Sequence, residues 1–506
     1  MMANKELVRP IARPLARPIA RRALTALTLS AAALAVLPGA ASGEEAAGVL
    51  RRASAVMGAG ELKSIRYTAE GSGYTFGQAY TPGAAWPKIT VHSQIRSINY
   101  DTASMREEFT LSRAEPRGGG GYPLAGQQRN DQFVSGDFAW NQAGTNAVPG
   151  PRFVADRVHQ LWLTPHGVIK AAIKNNATLA WRTQNGKSVA VVSYKMPRRF
   201  AATAFINEDY LVERAESRLP DPVLGETTAV TTYSGYRDFG GVNFPSRVEQ
   251  SQGGHPILDV SIKEVQPNAP ADIALPDNVR SATERVTADR VAEGVWFIAG
   301  GSHNSVAIEM KDHMVLVETP LNDGRSAPVI EQVKKLAPGK PIRFIINSHA
   351  HFDHAGGVRT AVAEGATIVT HATNEAYFKR IFALQNRINP DRLAKSGKKP
   401  KFKTVNDKLE LADGTRTIAI HRITGGDHND AFLMVHLPQE KLLVEADVYT
   451  PGPPNAPPPA TPNANNVTLV KNIERLNLAV DKILPLHGRV VPLSELYTAA
   501  KATLPK

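Results

Sequence analysis

The sequence predicts a two-domain protein in which a mainly antiparallel β domain precedes an α/β domain. A length of 506 residues exceeds that of one ordinary domain. Residues 44–266 contain short segments in which apolar and polar residues alternate, as in antiparallel strands with one solvent-exposed face. From residue 290 onward, short apolar runs alternate with helical spacing, which is typical of a layered α/β domain.

The first domain is predicted from its alternating segments and from the turn residues that separate them. These segments are Ser64–Gly71, Thr90–Tyr100, Arg106–Leu111, Gln132–Asn141, Ser188–Met196 and Thr227–Tyr236. One helix is predicted over Gly167–Asn175, because Thr164 and Pro165 are typical of a helix N-terminus. The glycine run Gly118–Gly121 predicts a flexible loop tip.

The second domain, residues 290–506, follows a Pro-, Ala- and charge-rich stretch at 267–289 that predicts a linker. Its first elements are predicted as strands at Gly294–Ile298, Ser305–Glu309 and Met314–Glu318, a helix at Ala327–Leu336 and a strand at Ile342–Asn347. The last of these is almost wholly apolar, as is a strand that is buried on both faces.

The first 43 residues have the pattern of an export signal. A basic stretch ends at Arg21-Arg22, an apolar run extends from Ala23 to Leu37, and small residues follow up to Gly43. We therefore expect a removed signal peptide and a periplasmic or secreted protein, with a twin-arginine route as an alternative. The apolar run is shorter than the roughly 20 residues that span a bilayer, so no membrane span is expected.

The net charge of +12 does not indicate nucleic-acid binding. Residues 1–43 contribute +5 of it, and the rest of the chain carries a mild basic excess of +7. A nucleic-acid partner would require a concentrated basic patch, so a small-molecule substrate is expected. The chain has no cysteine, so a transition-metal site must consist of His, Asp and Glu.

A cluster of metal-binding residue types follows the apolar strand that ends at Asn347. His349, His351, Asp353 and His354 lie within six residues. Imidazole and carboxylate groups bind zinc at about 2.0–2.2 Å, and such a cluster would be costly to bury without a metal ion. The sequence therefore predicts a metal site here.

Further ligands are expected downstream, because this loop cannot close a metal site alone. His428, Asp447 and His487 each follow or close an apolar run, as expected for a ligand at a strand end. A lone histidine is more often a surface or satisfied residue, so these three are weaker predictions than the cluster.

The pattern His349-Ala-His351-Phe-Asp353-His354 resembles the HxHxDH signature of the metallo-β-lactamase superfamily. The resemblance covers about residues 285–506 and implies an αββα sandwich. It also implies two Zn²⁺ ions per chain. The implied ligands are His349, His351 and His428 for the first ion, Asp353, His354 and His487 for the second, and Asp447 as the bridge.

The first domain resembles, more weakly, the curved antiparallel sheet of periplasmic lipoprotein-carrier-like proteins. That resemblance rests on its strand pattern and on Gly235–Pro245. A lipid-like or protein partner is one expectation for this domain.

The superfamily resemblance and the ligand chemistry together predict an exported zinc-dependent hydrolase of an ester, thioester, lactone or lactam. A hydroxide between two metal ions would attack the carbonyl, and Asp353 is the expected catalytic residue that orients it or takes its proton. His303 and Asn304, in a tight turn, are expected to touch substrate. A turn-stabilising role for Asn304 is the alternative.

Two other functions stay open. One is a metallo-β-lactamase proper, although a subclass with a thiolate ligand is excluded by the lack of cysteine. The other is a non-catalytic, metal-stabilised binding protein. Seven candidate ligands argue against the latter, since structural zinc sites are usually closed and four-coordinate.

Overall fold

The computed structural model describes residues 43–114, 120–121, 126–197 and 199–504. The predicted signal segment, apart from its last residue, and residues 118 and 119 of the predicted loop tip lie outside these ranges. Within the described ranges no helix combines the length and apolar character needed to cross a bilayer.

The first domain contains one large antiparallel sheet, as predicted. Its spatial order is β6-β5-β4-β3-β2-β1-β15-β14-β11-β10-β9-β8-β7. Its strands are β1 (Ser64–Tyr74), β2 (Lys88–Asn99), β3 (Ser104–Arg113), β4 (Gln128–Ser135), β5 (Phe138–Ala143), β6 (Asn146–Pro149), β7 (Thr178–Gln184), β8 (Lys187–Met196), β9 (Phe200–Ile206), β10 (Val212–Asp221), β11 (Gly225–Ser234), β14 (Arg247–Gln252) and β15 (His255–Pro267). A separate two-stranded pair consists of β12 (Arg237–Asp238) and β13 (Asn243–Phe244).

One predicted strand is wrong in detail. Gln132–Asn141 alternates throughout, but the chain reverses at Gly136, whose φ is +57°, and the segment divides between β4 and β5. Glycine adopts this left-handed conformation without a steric penalty, and the turn signal outweighs the alternation.

Helices cover one face of this sheet. They are α1 (Gly43–Met57), a 3₁₀ turn (Pro151–Phe153), α2 (Val154–Trp162) and α3 (Pro165–Lys174). The predicted helix is confirmed as α3, and the Thr164 side chain caps it by accepting from the Gly167 amide. Helices α1 and α2 were not predicted from the sequence. Apolar residues of these helices, such as Leu50, Leu161 and Ile169, share a core with the sheet.

The segment predicted as a linker contains α4 (Asp277–Arg280) and the start of β16 (Thr287–Ala292). By its contacts, the chain from residue 40 to 506 forms one compact unit. The domain boundaries at 266 and 290 therefore stay predictions.

The second domain contains two sheets. The first has the order β16-β17-β18-β19-β20-β21-β22 and the second β23-β24-β25-β26-β27-β28. Their other strands are β17 (Val295–Ala299), β18 (Ser305–Glu309), β19 (Met314–Val317), β20 (Ile342–Ile346), β21 (Thr367–His371), β22 (Lys401–Val405), β23 (Lys408–Ala412), β24 (Thr417–Arg422), β25 (Leu433–Leu437), β26 (Leu442–Glu445), β27 (Lys482–Pro485) and β28 (Val491–Pro492). The helices are α5 (Asp323–Leu336), α6 (Phe352–Ala355), α7 (Val358–Glu364), α8 (Ala372–Phe382), α9 (Arg392–Ser396), α10 (Ala464–Arg475) and α11 (Leu493–Ala500).

The layers of this domain follow from side-chain alternation along buried strands. On β19, Val315 and Val317 face the core shared with the second sheet, whereas Met314 and Leu316 face a core that includes Ile330 of α5. Helices α10 and α11 contribute to the core on the side of the second sheet. The predicted αββα arrangement is confirmed.

The first domain contacts the second close to the predicted metal ligands. Val223, between β10 and β11, is buried in one apolar cluster with Ala350 and Phe378 of the second domain. The Glu226 amide donates to the Gln385 carbonyl at 2.7 Å. These contacts bring the first domain to the edge of the sandwich that carries the HxHxDH residues.

Candidate metal centre

The seven predicted ligands all lie just beyond strand ends at one edge of the two sheets. His349 and His351 follow β20, and Asp353 and His354 begin the helical turn α6; His428 lies between β24 and β25, Asp447 beyond β26 and His487 beyond β27. Strand β20 runs parallel to β19 and β21, and β26 runs parallel to β27. Carboxyl ends of neighbouring parallel strands meet at one edge, which brings together residues far apart in sequence.

The first group of ligands consists of His349, His351, His428 and Asp447. Each contributes one ligand atom, and these atoms lie within 4.8 Å of one another. His428 Nε2 lies 3.2 Å from His349 Nε2, and both lie close to Asp447 Oδ2, at 3.3 and 3.2 Å. This set matches the predicted first site together with the predicted bridge.

The second group consists of Asp353, His354 and His487, with His303 as an additional member. His354 Nε2 lies 3.1 Å from His487 Nε2, and His303 Nε2 lies 3.1 Å from Asp353 Oδ2. His303 was predicted from the sequence to touch substrate and was not among the predicted metal ligands. Its imidazole faces the ring of His487, with ring centroids 4.2 Å apart.

Asp447 joins the two groups through its carboxylate. Its Oδ2 lies 2.8 Å from His354 Nε2 as well as near the first group, and its Oδ1 lies 2.9 Å from His487 Nε2. Its φ is +57°, a left-handed conformation that aspartate tolerates better than most residues. The structure therefore places Asp447 between the two groups, and its role as a bridge stays a prediction.

The donor set fits a divalent transition metal ion. Two nitrogens bound at about 2.0–2.1 Å to one tetrahedral zinc ion would lie roughly 3.3 Å apart. The observed nitrogen separations are 3.2 Å for His349 with His428 and 3.1 Å for His354 with His487. Imidazole nitrogens that converge at these distances around one carboxylate are arranged for a cation.

The electrostatics of the site also favour a cation. Burial would lower the pKa of His354, but the Asp447 and Asp353 carboxylates outweigh it and raise that pKa to about 10. Burial would raise the pKa of Asp447, yet the surrounding histidines, His354 foremost, hold it well below its usual range. Burial and the charge of His354 lower the pKa of His349 to about 3. The carboxylates that favour a proton on His354 would favour a metal cation in its place, and His349 is already neutral, as a zinc ligand must be.

One side of the site is open. The side chains of His349, His354 and His428 are at most 2% exposed, whereas those of Asp353 and His487 are 29% and 17% exposed. Water and substrate can therefore reach the second group, while the first forms the buried floor.

The two glycines after His354 permit close packing behind the ligands. A Cβ on Gly356 would lie 1.9 Å from the Leu321 carbonyl oxygen, and one on Gly357 would lie 2.4 Å from that of Thr319. The turn that carries Asp353 and His354 thus packs against the loop after β19, where only glycine leaves room.

Gly356→Ala is expected to destabilise the protein by about 1–3 kcal/mol, because the added methyl group must displace backbone. Gly48→Ala is the control, since a Cβ at that position in α1 meets open space. It is expected to stabilise by roughly 0.5–1 kcal/mol. Chemical denaturation of both variants measures the difference. Equal stability of the two would contradict the packing argument.

Two buried carboxylates were missed as site residues. Glu318 is fully buried, accepts from the Ser348 amide at 2.6 Å and lies 3.9 Å from His354 Nδ1. Glu445 accepts from the amides of Val448 and Tyr449 and thereby shapes the loop around Asp447. Each ends an apolar strand run, the same signal that located the ligands.

The side-chain amide nitrogen of Asn304 is already engaged in hydrogen bonds within the protein. Its Nδ2 donates to the carbonyls of Pro485 at 3.2 Å and Gly488 at 2.9 Å, on either side of His487. It therefore ties the turn between β17 and β18 to the loop that carries His487. This agrees with the turn-stabilising alternative, and substrate contact by Asn304 stays a prediction.

Comparisons with known proteins find one matching family model and several solved structures of low similarity. The family model of the metallo-beta-lactamase superfamily matches residues 298–470, a range that includes six of the seven ligands but not His487. The chain is similar to the metallo-beta-lactamase from Pontibacter korlensis, with 17% identity, a TM-score of 0.33, and coverage of 43% of this chain and 98% of that one. It is also similar to the metallo-beta-lactamase from Hirschia baltica, with 22% identity, a TM-score of 0.32, and coverage of 44% of this chain and 99% of that one.

One curated relative is the 2,4-dinitroanisole O-demethylase subunit alpha of Nocardioides sp. (strain JS1661). It is 26% identical over 171 residues, which are 33% of this chain. The match covers 48% of the relative, so the chain spans about half of that protein's length.

Proposed function

We propose that this chain is an exported binuclear zinc hydrolase. The match of residues 298–470 to the model of the metallo-beta-lactamase superfamily, whose members are generally metal-dependent hydrolases, supports the proposal. The substrate of this chain would be a small ester, thioester, lactone or lactam. The observation that carries the proposal is the Asp447 carboxylate, whose two oxygens reach both ligand groups.

The chain's residues divide into those that hold the metal and those that face the substrate. One ion would be held by His349, His351 and His428, and the other by His354 and His487. The carboxylates of Asp353 and Asp447 would complete the two ligand sets. When bound, such ions polarise a carbonyl group and lower the pKa of water from about 15.7 toward about 7.

Asp353 is placed to accept a proton from a water molecule at the site. It is the most exposed of the carboxylates in the two groups, and its Oδ2 is held by His303 Nε2 at 3.1 Å. An incoming water reaches this carboxylate first, so Asp353 orients the water and accepts its proton.

Zinc is supported by the donor types, since the chain has only imidazole and carboxylate ligands to offer and no thiolate. Export to the periplasm or beyond is supported by the basic and apolar pattern of residues 1–43. A lipid-like or protein partner for the first domain also stays a proposal.

Two specific substrates are candidates, one within the carbonyl classes named above and one outside them. A β-lactam is one, because the lactamase signature HxHxDH is present. An activated aryl methyl ether is the other, since the curated relative is a 2,4-dinitroanisole O-demethylase subunit. Addition of water to such an ether gives a phenol and methanol without any change of redox state.

The test combines metal analysis of the purified protein with a hydrolysis panel of esters, thioesters, lactones, nitrocefin and 2,4-dinitroanisole. We expect two zinc ions per chain and turnover of at least one class. Asp353→Asn should lower that turnover by about 10²–10⁴-fold, the usual contribution of general acid–base catalysis. The control Asp481→Asn, 66% exposed and remote from the site, should have no effect. Less than one metal ion per chain would refute the binuclear site, and no turnover would refute the substrate class.

A further inference from the structure

Two loops of the first domain reach the metal-ligand loops of the second. One is the β1–β2 connection, residues 75–87, and the other is the β3–β4 connection, residues 114–127, which includes Gly120 and Gly121 among its described residues. The strands β1 to β4 are consecutive neighbours in an antiparallel sheet. In such a sheet every second connection lies at the same end of the strands. The β1–β2 and β3–β4 connections therefore lie at the same end of the sheet.

Backbone hydrogen bonds join these loops to both ligand-bearing loops. The Phe352 amide donates to the Gly77 carbonyl at 3.3 Å, next to His351. The Gly120 amide donates to the Asp427 carbonyl at 2.8 Å, next to His428. Gly120 and Gly121 are buried, so this part of the predicted flexible loop tip is packed instead.

Carbonyl groups of these loops fix the orientation of two ligands. His351 Nε2 lies 3.0 Å from the Ala79 carbonyl, and His428 Nδ1 lies 3.0 Å from the Gly121 carbonyl. A carbonyl only accepts, so these nitrogens carry the hydrogen and the opposite nitrogen of each ring keeps its lone pair. Those opposite atoms are His351 Nδ1, which has no hydrogen-bond partner in the described residues, and His428 Nε2, which faces His349.

The side chain of Gln78 fixes a third ligand. Its Nε2 donates to Asp353 Oδ1 at 2.8 Å, while His303 lies against the other carboxylate oxygen. The most exposed carboxylate of the site is therefore held from both sides, once by each domain.

Aromatic packing anchors the β1–β2 loop. The ring of Phe352 lies 5.4 Å from that of Phe76 and 5.9 Å from that of Trp86, and Trp86 stacks on His255. A Cβ on Gly77 would lie 2.2 Å from Phe352 Cγ, so the loop backbone lies directly against that ring. Such packing holds the carbonyl groups and Gln78 in place.

We propose that the first domain is a structural part of the metal centre. Its Ala79 and Gly121 carbonyls select the metal-binding tautomers of His351 and His428, and Gln78 is a positioning residue for Asp353. This rests on the proposed metal site. Partners in the second coordination shell are typically worth 10–100-fold in metal affinity, so affinity should depend on residues of the first domain.

The test is Gln78→Met, which keeps the side-chain length and removes the amide donor. The control is Gln184→Met, an exposed residue of the same sheet. Zn²⁺ affinity is measured by competition with a chromophoric chelator, and ligand geometry by the absorption spectrum of the Co²⁺-substituted protein. Gln78→Met should weaken Zn²⁺ binding by about 10–100-fold and change the Co²⁺ spectrum, with the apo-protein melting temperature and the control unchanged.

Each other outcome has a defined meaning. Affinity and spectrum equal to wild type would overturn the role of Gln78, and equal losses in both variants would show a general effect and overturn it too. A wild-type chain that binds Zn²⁺ but hydrolyses nothing would contradict only the proposed function. A wild-type chain that binds no Zn²⁺ would overturn both proposals.

Discussion

Asp447→Asn is expected to reduce bound metal from two ions to at most one per chain and to lower kcat/KM by about 10³-fold. The carboxylate lies within 3.3 Å of nitrogen atoms in four histidines. Loss of its charge would leave the two proposed cations without an anion between them, and metal ions contribute several kcal/mol to such reactions. Elemental analysis and steady-state kinetics measure the two effects.

Asparagine is the right replacement at this position. The φ of Asp447 is +57°, and asparagine tolerates this left-handed conformation, whereas alanine would add backbone strain. The matched control is Asp481→Asn, which changes the same functional group at an exposed site. Retention of two metal ions by Asp447→Asn would show that the carboxylate does not bridge.

The residues that the structure brings together as candidate ligands could be predicted because their signals are local. His349 to His354 form one short motif, and Asp447 and His487 each lie beyond a buried strand. Strands buried on both faces are almost wholly apolar, so a polar residue at their end stands out. Parallel pairing of β26 with β27 then brings Asp447 and His487 to the same edge.

The contribution of the first domain could not be predicted in this way. Ala79 and Gly121 act through carbonyl groups, which every residue has, and their partners lie 272 and 307 residues away. Gln78 belongs to no motif, and its role depends on how the two domains pack. Helix α1 was missed because it begins at Gly43, where the predicted signal segment ends.

Removal of the buried carboxylate at Glu107 is expected to have the largest effect on stability. Glu107 on β3 faces Arg96 on β2, and their side chains are 8% and 5% exposed. Glu107 Oε1 accepts from Arg96 Nε at 2.9 Å and from Gln94 Nε2 at 2.6 Å. Glu107→Ala leaves a buried guanidinium without its counter-charge, which costs about 3–5 kcal/mol.

Urea unfolding followed by tryptophan fluorescence measures this loss in the relevant domain, because four of the five tryptophans lie in residues 44–266. Glu249→Ala, in an ion pair whose side chains are about half exposed, is the control and should cost at most about 1 kcal/mol. The double variant Arg96→Met with Glu107→Leu should recover most of the loss, since an apolar pair needs no counter-charge. Equal stability of Glu107→Ala and Glu249→Ala would contradict the argument. Because β2 and β3 border the loops that contact His351 and His428, unfolding of this sheet should also release the metal, which links the stability of the first domain to the chemistry of the second.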